Sequence, residues 1–159
     1  IRSDQMIPMI SSIISARPRA EYIVIMAGSN DAVEGVSSST VIANLASMVS
    51  LAKSRGLIPV ISTVTPNTRA TEFERKAREY SEDIRIYAAS SGVLLADSRA
   101  ALGADWMDNH SGDGLHLNGV GNTILANLIH TTLGLNLPQP GASKDIILVP
   151  ILDLLLSGS

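Results

Sequence analysis

The 159 residues contain no cysteine, which excludes a disulfide framework, a thiolate nucleophile and a cysteine-based metal site. The compartment stays open, because many secreted proteins also lack cysteine. Aromatic residues are scarce, at one Trp, three Tyr and one Phe, so a core must be assembled from Ile, Leu, Val, Ala and Met. Basic residues are not in excess: twelve Lys and Arg face fifteen Asp and Glu, for a formal charge of −3. That excludes the basic stripe of a nucleic-acid or anionic-membrane binder. No signal-like segment is visible at the start, which reads IRSDQMIPMI. The longest apolar run, residues 146–156, is broken by Pro150 and Asp153 and is shorter than the roughly 20 residues of a membrane-spanning helix. The chain therefore reads as soluble. G-x-G-x-x-G and P-loop patterns are both missing, which speaks against a nucleotide-binding domain. What is present is core material, with 45% apolar and only 17% charged residues, so disorder is excluded as well.

Apolar residues at Met6, Ile7, Ile10, Ile13 and Ile14 recur at helical spacing and predict an amphipathic helix that ends near Arg17 and Pro18. Residues 22–26 (YIVIM) form a continuous apolar run, as suits a strand buried on both faces of a parallel sheet. A polar, Ser-rich loop follows. Residues 40–55 give a second amphipathic helix stopped by Gly56, and 57–64 a second buried strand. A third helix over 71–90 is charged along 72–79, which reads as a solvated face with pairs such as Glu72–Lys76 and Glu74–Arg78. Residues 93–96 make a third strand leading to Asp97. A loop over 103–117 holds two histidines, with Trp106 expected to pack beneath it, and Asn118 caps a last helix through about Leu133. This alternation predicts a three-layer α/β/α domain with a parallel sheet. Ligand chemistry then belongs at the carboxyl ends of the strands. The organisation reads as a core over 1–135, a linker over 136–145 and an apolar tail over 146–159. The tail suits a strand, a short helix or a segment that pairs with a partner chain.

Two clusters carry candidate chemistry. Gly28-Ser29-Asn30-Asp31 follows the first buried strand directly. A glycine there lets backbone and substrate approach closely, and the Asn30 amide can point above the sheet as a donor to an oxyanion. An ordinary turn, with Asn30 and Asp31 bonding local backbone, explains the same residues. Asp113-Gly114-Leu115-His116 precedes the last helix. At that spacing the carboxylate can fold back on the imidazole, fix one tautomer and stabilise the imidazolium. A loop histidine beside a solvated Asp113 is the plain alternative. His110 has no close partner of this kind, His130 falls inside the last helix, and no metal-ligand spacing is present, so neither a metal nor another cofactor is expected.

Taken together the clusters are more specific than either alone. The strand–G-x-N-D turn, the βα units after it, and D-x-x-H before a closing helix resemble the SGNH (GDSL-type) esterase and lipase family over residues 22–133. Residues 22–31 are similar to the family's third block and residues 111–121 to its fifth. The resemblance implies a flavodoxin-like sheet and an esterase or lipase acting through an acyl-enzyme on a small-molecule, lipid or sugar ester. It makes His116 the general base, Asp113 its orienting partner, Asn30 an oxyanion-hole donor and Gly28 the glycine that opens the block.

The family's G-D-S nucleophile block and its second-block glycine have no counterpart here; Ile1-Arg2-Ser3-Asp4-Gln5 is similar to the stretch directly after that glycine. The expectation is that the first strand and the nucleophilic serine lie outside these 159 residues. A second reading is a permuted enzyme, in which the tail supplies the missing strand and Ser157 or Ser159 attacks. A third is a non-catalytic binding or assembly module that pairs with a partner through the tail. Interior serines, including Ser11, Ser12, Ser37, Ser38, Ser39 and Ser62, lack a nucleophile-turn context, and Ser3 is expected to hydrogen-bond near the oxyanion hole.

Overall fold

The computed structural model describes residues 1–103, 106–134 and 146–149, with Trp106 and 146–149 described through their backbone alone. The linker expected over 136–145, the packing of the Trp106 ring, and Ser157 and Ser159 lie outside the described residues. Among those described, no helix is long and apolar enough to cross a membrane.

The apolar runs became strands: β1 is Tyr22–Ile25, β2 Ile58–Ser62 and β3 Leu94–Ala96, and all pair in parallel. The first four residues of the apolar tail, for which a strand is one of three readings, form β4 at Ile146–Val149 and pair in parallel with β1, Tyr22 against Ile146. The sheet order is β3-β2-β1-β4. Alternation along each strand divides the core. Ile23, Ile25 and Ile61 face α1 (Ser3–Ser15), α3 (Ser38–Ser54) and α4 (Thr71–Ser91), which cover one side. Val24, Val60 and Ala96 face Ile129 and Leu133 at the end of α6 (Gly119–Thr132) on the other. Helices lie on both faces, as the strand–helix alternation implies.

Two short helices fall where the sequence pattern names no helix. α2 (Ser29–Val33) occupies the start of the Ser-rich segment and α5 (Ser98–Leu102) follows β3, where the Asp97 carboxylate accepts from Ala100 N–H at 3.2 Å. Five residues complete barely more than one turn, so no apolar period can announce them. The loop before α6 also contains a 3₁₀ turn at Trp106–Asn109.

The charged face of α4 needs a correction. Glu74–Arg78 forms at 3.3 Å, but Glu72 pairs with Arg75 at 2.7 Å, and Lys76 reaches the Val36 carbonyl instead. Glu74 is not simply solvated: both of its oxygens hold Arg99, at 2.7 and 3.1 Å, with the side chains only 18% and 13% exposed. Arg99 comes from α5, an element the sequence pattern does not show, so its partner looked solvent-facing.

Candidate active site

Parallel strands end at a common edge, and the turns after β1, β2 and β3 gather the polar residues there. The β1 turn is shaped by Gly28, which sits at φ 112°. A Cβ at this position would lie 2.7 Å from Val64 Cγ2 and 3.4 Å from the Tyr80 ring. The glycine is demanded by the core packed against it, where the sequence suggested room for substrate. Asn30 is half-buried, and its Nδ2 donates to the Ile1 carbonyl at 2.9 Å. An amide nitrogen has two hydrogens, so this bond fixes the side chain and leaves one donor to spend. Asp31 is 1% exposed and caps nothing local: it accepts from Ser3 N–H at 3.0 Å and Ser3 Oγ at 2.6 Å, while Asn44 donates to Ser3 Oγ at 2.9 Å. The start of α1 is thereby strapped to the turn that carries Asn30. Ser3 is spent as a hydrogen-bonding residue beside that turn.

The second cluster is an Asx-type turn closed on itself. One oxygen of Asp113, Oδ1, accepts from Leu115 N–H and His116 N–H, both at 2.9 Å, and from Ser111 Oγ at 2.8 Å. The other, Oδ2, bonds His116 Nδ1. Partial burial works to raise the Asp113 pKa, but the backbone N–H groups of His116 and Leu115, with the His116 and Ser111 side chains, outweigh it and hold the carboxyl far below its ordinary range. An ionised carboxylate can only accept, so Nδ1 carries the proton of this bond, and in the neutral imidazole the lone pair then lies at Nε2. The His116 side chain is 30% exposed, and no hydrogen bond joins Nε2 to any described residue. An imidazole held in this way can take a proton from a hydroxyl placed at Nε2.

The turn is seated on the loop that follows β2. Thr68 N–H and Oγ1 both donate to the Gly114 carbonyl, at 2.8 and 3.0 Å. Arg69 Nε donates to the Asp113 carbonyl at 3.1 Å, and His110 Nε2 bonds the Pro66 carbonyl at 2.9 Å. After the turn, Asn118 Oδ1 caps α6 by accepting from Gly121 N–H at 3.0 Å, as the sequence implies. Nothing in the sequence singled out Thr68 or Arg69, since their partners are more than 40 residues away.

His116 and Asp113 are thus brought together, and Asn30 stands at the same sheet edge without a hydrogen bond to either. His130 is a half-buried residue of α6. Among the described residues no three His, Asp or Glu side chains converge as a metal site, and no described serine is hydrogen-bonded to His116 Nε2.

The model of the GDSL-like lipase/acylhydrolase family matches residues 3–124, a span that includes Asn30, Asp113 and His116. No curated protein matches the chain. Solved structures do, at the level of fold. A GDSL-like lipase from Bacteroides thetaiotaomicron VPI-5482 is 22% identical, with a TM-score of 0.73 over 84% of this chain and 71% of that one. A member of the lipolytic G-D-S-L family from Veillonella parvula DSM 2008 is 21% identical, with a TM-score of 0.70 over 82% of this chain and 74% of that one. A catalytic mutant of an acetylxylan esterase from Geobacillus stearothermophilus is 17% identical, with a TM-score of 0.65 over 82% and 68%.

Proposed function

Because the chain belongs to the GDSL-like lipase/acylhydrolase family, it is a hydrolase, and we propose that it cleaves carboxylic esters through an acyl-enzyme. His116 removes the proton from a serine hydroxyl as the oxygen attacks the ester carbonyl. Asp113 holds the imidazole in the required tautomer and balances the imidazolium that forms. The remaining Asn30 N–H donates to the oxyanion, and Gly28 sets the turn that presents it. His116 then gives its proton to the leaving alcohol and activates the water that releases the acid. No cofactor enters these steps. The observation that carries the reading is the Asp113 carboxylate bonded to His116 Nδ1, with no described residue hydrogen-bonded to Nε2.

One proposed source of the serine in this scheme is a segment other than these 159 residues, since no described serine is hydrogen-bonded to His116 Nε2. A second source, Ser157 or Ser159, is favoured by one feature: β4 runs parallel to β1, so the chain leaves Val149 at the same sheet edge as Asn30. The substrate is a small-molecule, sugar or lipid ester. Asn30→Ala removes one oxyanion donor and is expected to lower kcat for 4-nitrophenyl acetate about 10²–10³-fold. Turnover unchanged in that variant would remove Asn30 from the mechanism.

A further inference from the structure

The Asp113 carboxylate has a second claimant. Arg69 Nη2 stands 3.6 Å from Asp113 Oδ2, the same oxygen that bonds His116 Nδ1, while Arg69 Nε donates to the Asp113 main-chain carbonyl at 3.1 Å. One planar guanidinium therefore hydrogen-bonds the backbone of the residue that orients the imidazole and faces its carboxylate as an ion pair. Lysine cannot reproduce that arrangement, because it is a point donor without the rigid fork.

Arg69 is itself held from behind. Its N–H donates to Asn67 Oδ1 at 2.9 Å, and Asn67 N–H donates to Glu74 Oε2 at 3.0 Å. Glu74 is the residue fixed by Arg99, whose Nε also reaches the Val64 carbonyl at 3.2 Å, one residue beyond the loop's start. The two loops also pack closely at Gly114. Gly114 sits at φ 68°, and a Cβ there would lie 2.0 Å from Thr68 Oγ1. A half-exposed surface turn would ordinarily open often, since few buried contacts hold it. This one is tied through Arg69 to an ion pair that is more than four-fifths buried.

We propose that Arg69 is a positioning residue: it locks the Asp113 turn so that Oδ2 stays in line with His116 Nδ1. The proposal rests on the reading of Asp113 and His116 as the proton-transfer pair. It goes further by placing the control of that pair in the loop after β2, backed by Asn67, Glu74 and Arg99.

The test is the imidazole proton itself. In ¹⁵N-labelled full chain, the Nδ1–H of His116 gives a low-field proton resonance, assigned by its loss in His116→Ala. In Arg69→Gln this resonance is expected to exchange with water roughly tenfold faster, as loss of a charge-assisted bond loosens the turn. Amide signals outside residues 66–70 and 110–117 should stay in place. Arg69→Lys, which keeps the charge without the fork, should fall between the two, and it decides the matter if Arg69→Gln does not fold. Wild-type exchange in both variants would overturn the role of Arg69 while leaving the pair intact. A wild-type spectrum with no low-field signal that His116→Ala removes would instead overturn the reading on which the proposal rests.

Discussion

Replacing His116 by alanine is expected to lower ester hydrolysis about 10⁴-fold while leaving the fold in place. The size follows from what the residue supplies. Without the imidazole the proposed base for the serine proton is gone, and the attacking oxygen remains a neutral, weak nucleophile. The fold should survive because the turn is held by other bonds. Asp113 Oδ1 would still accept from Leu115 N–H and from the backbone N–H of residue 116, and Thr68 would still hold the Gly114 carbonyl. The side chain is 30% exposed, so little packing is lost. The check is kcat/KM on a 4-nitrophenyl ester beside the far-ultraviolet circular dichroism spectrum and Tm. Near-normal hydrolysis by a folded variant would show that His116 is not the base.

The largest effect on stability is expected at Gly28→Ala. Two costs add at this position. The backbone sits at φ 112°, where an L side chain is strained by about 1 kcal/mol or more. The new methyl group would also meet Val64 Cγ2 at 2.7 Å and the Tyr80 ring at 3.4 Å. Val64 is 3% exposed and Tyr80 fully buried, so neither can move aside without disturbing its own neighbours. Overpacking of this kind costs about 1–3 kcal/mol. The sum, about 2–4 kcal/mol, corresponds for a chain of this size to a fall in Tm on the order of 10 °C. Activity should fall as well, because the strain is released through the turn that carries Asn30. A thermal melt within a degree or two of wild type would mean that the turn relaxes freely.

The two clusters were legible in the sequence because each is local. Asp113 and His116 lie three residues apart, within reach of each other across a single turn. The buried strands and long helices were legible for a similar reason, since several apolar positions at one period leave little choice of element. Illegible features depend on residues far apart in the chain. Asn30 is fixed by the Ile1 carbonyl, Asp31 by Ser3, Asp113 by Arg69 and Glu74 by Arg99, with separations from 25 to 44 residues. Glu74 shows the consequence best. Within α4 it has the spacing of a surface pair with Arg78, and that pair does form, yet its stronger partner arrives from a five-residue helix without a readable period. Asp31 is a similar case, a carboxylate that reads as a turn residue but is buried to accept from the first turn of α1.

The most direct test of the mechanism is to treat the native protein with a fluorophosphonate, which traps an activated serine, and to map the adduct by mass spectrometry in wild type and His116→Ala. The expected result is one modified serine in the wild type and none in the variant. Its position then decides between Ser157 or Ser159 and a serine from another segment. No adduct in the wild type, or equal labelling with and without His116, would contradict the proposed serine mechanism.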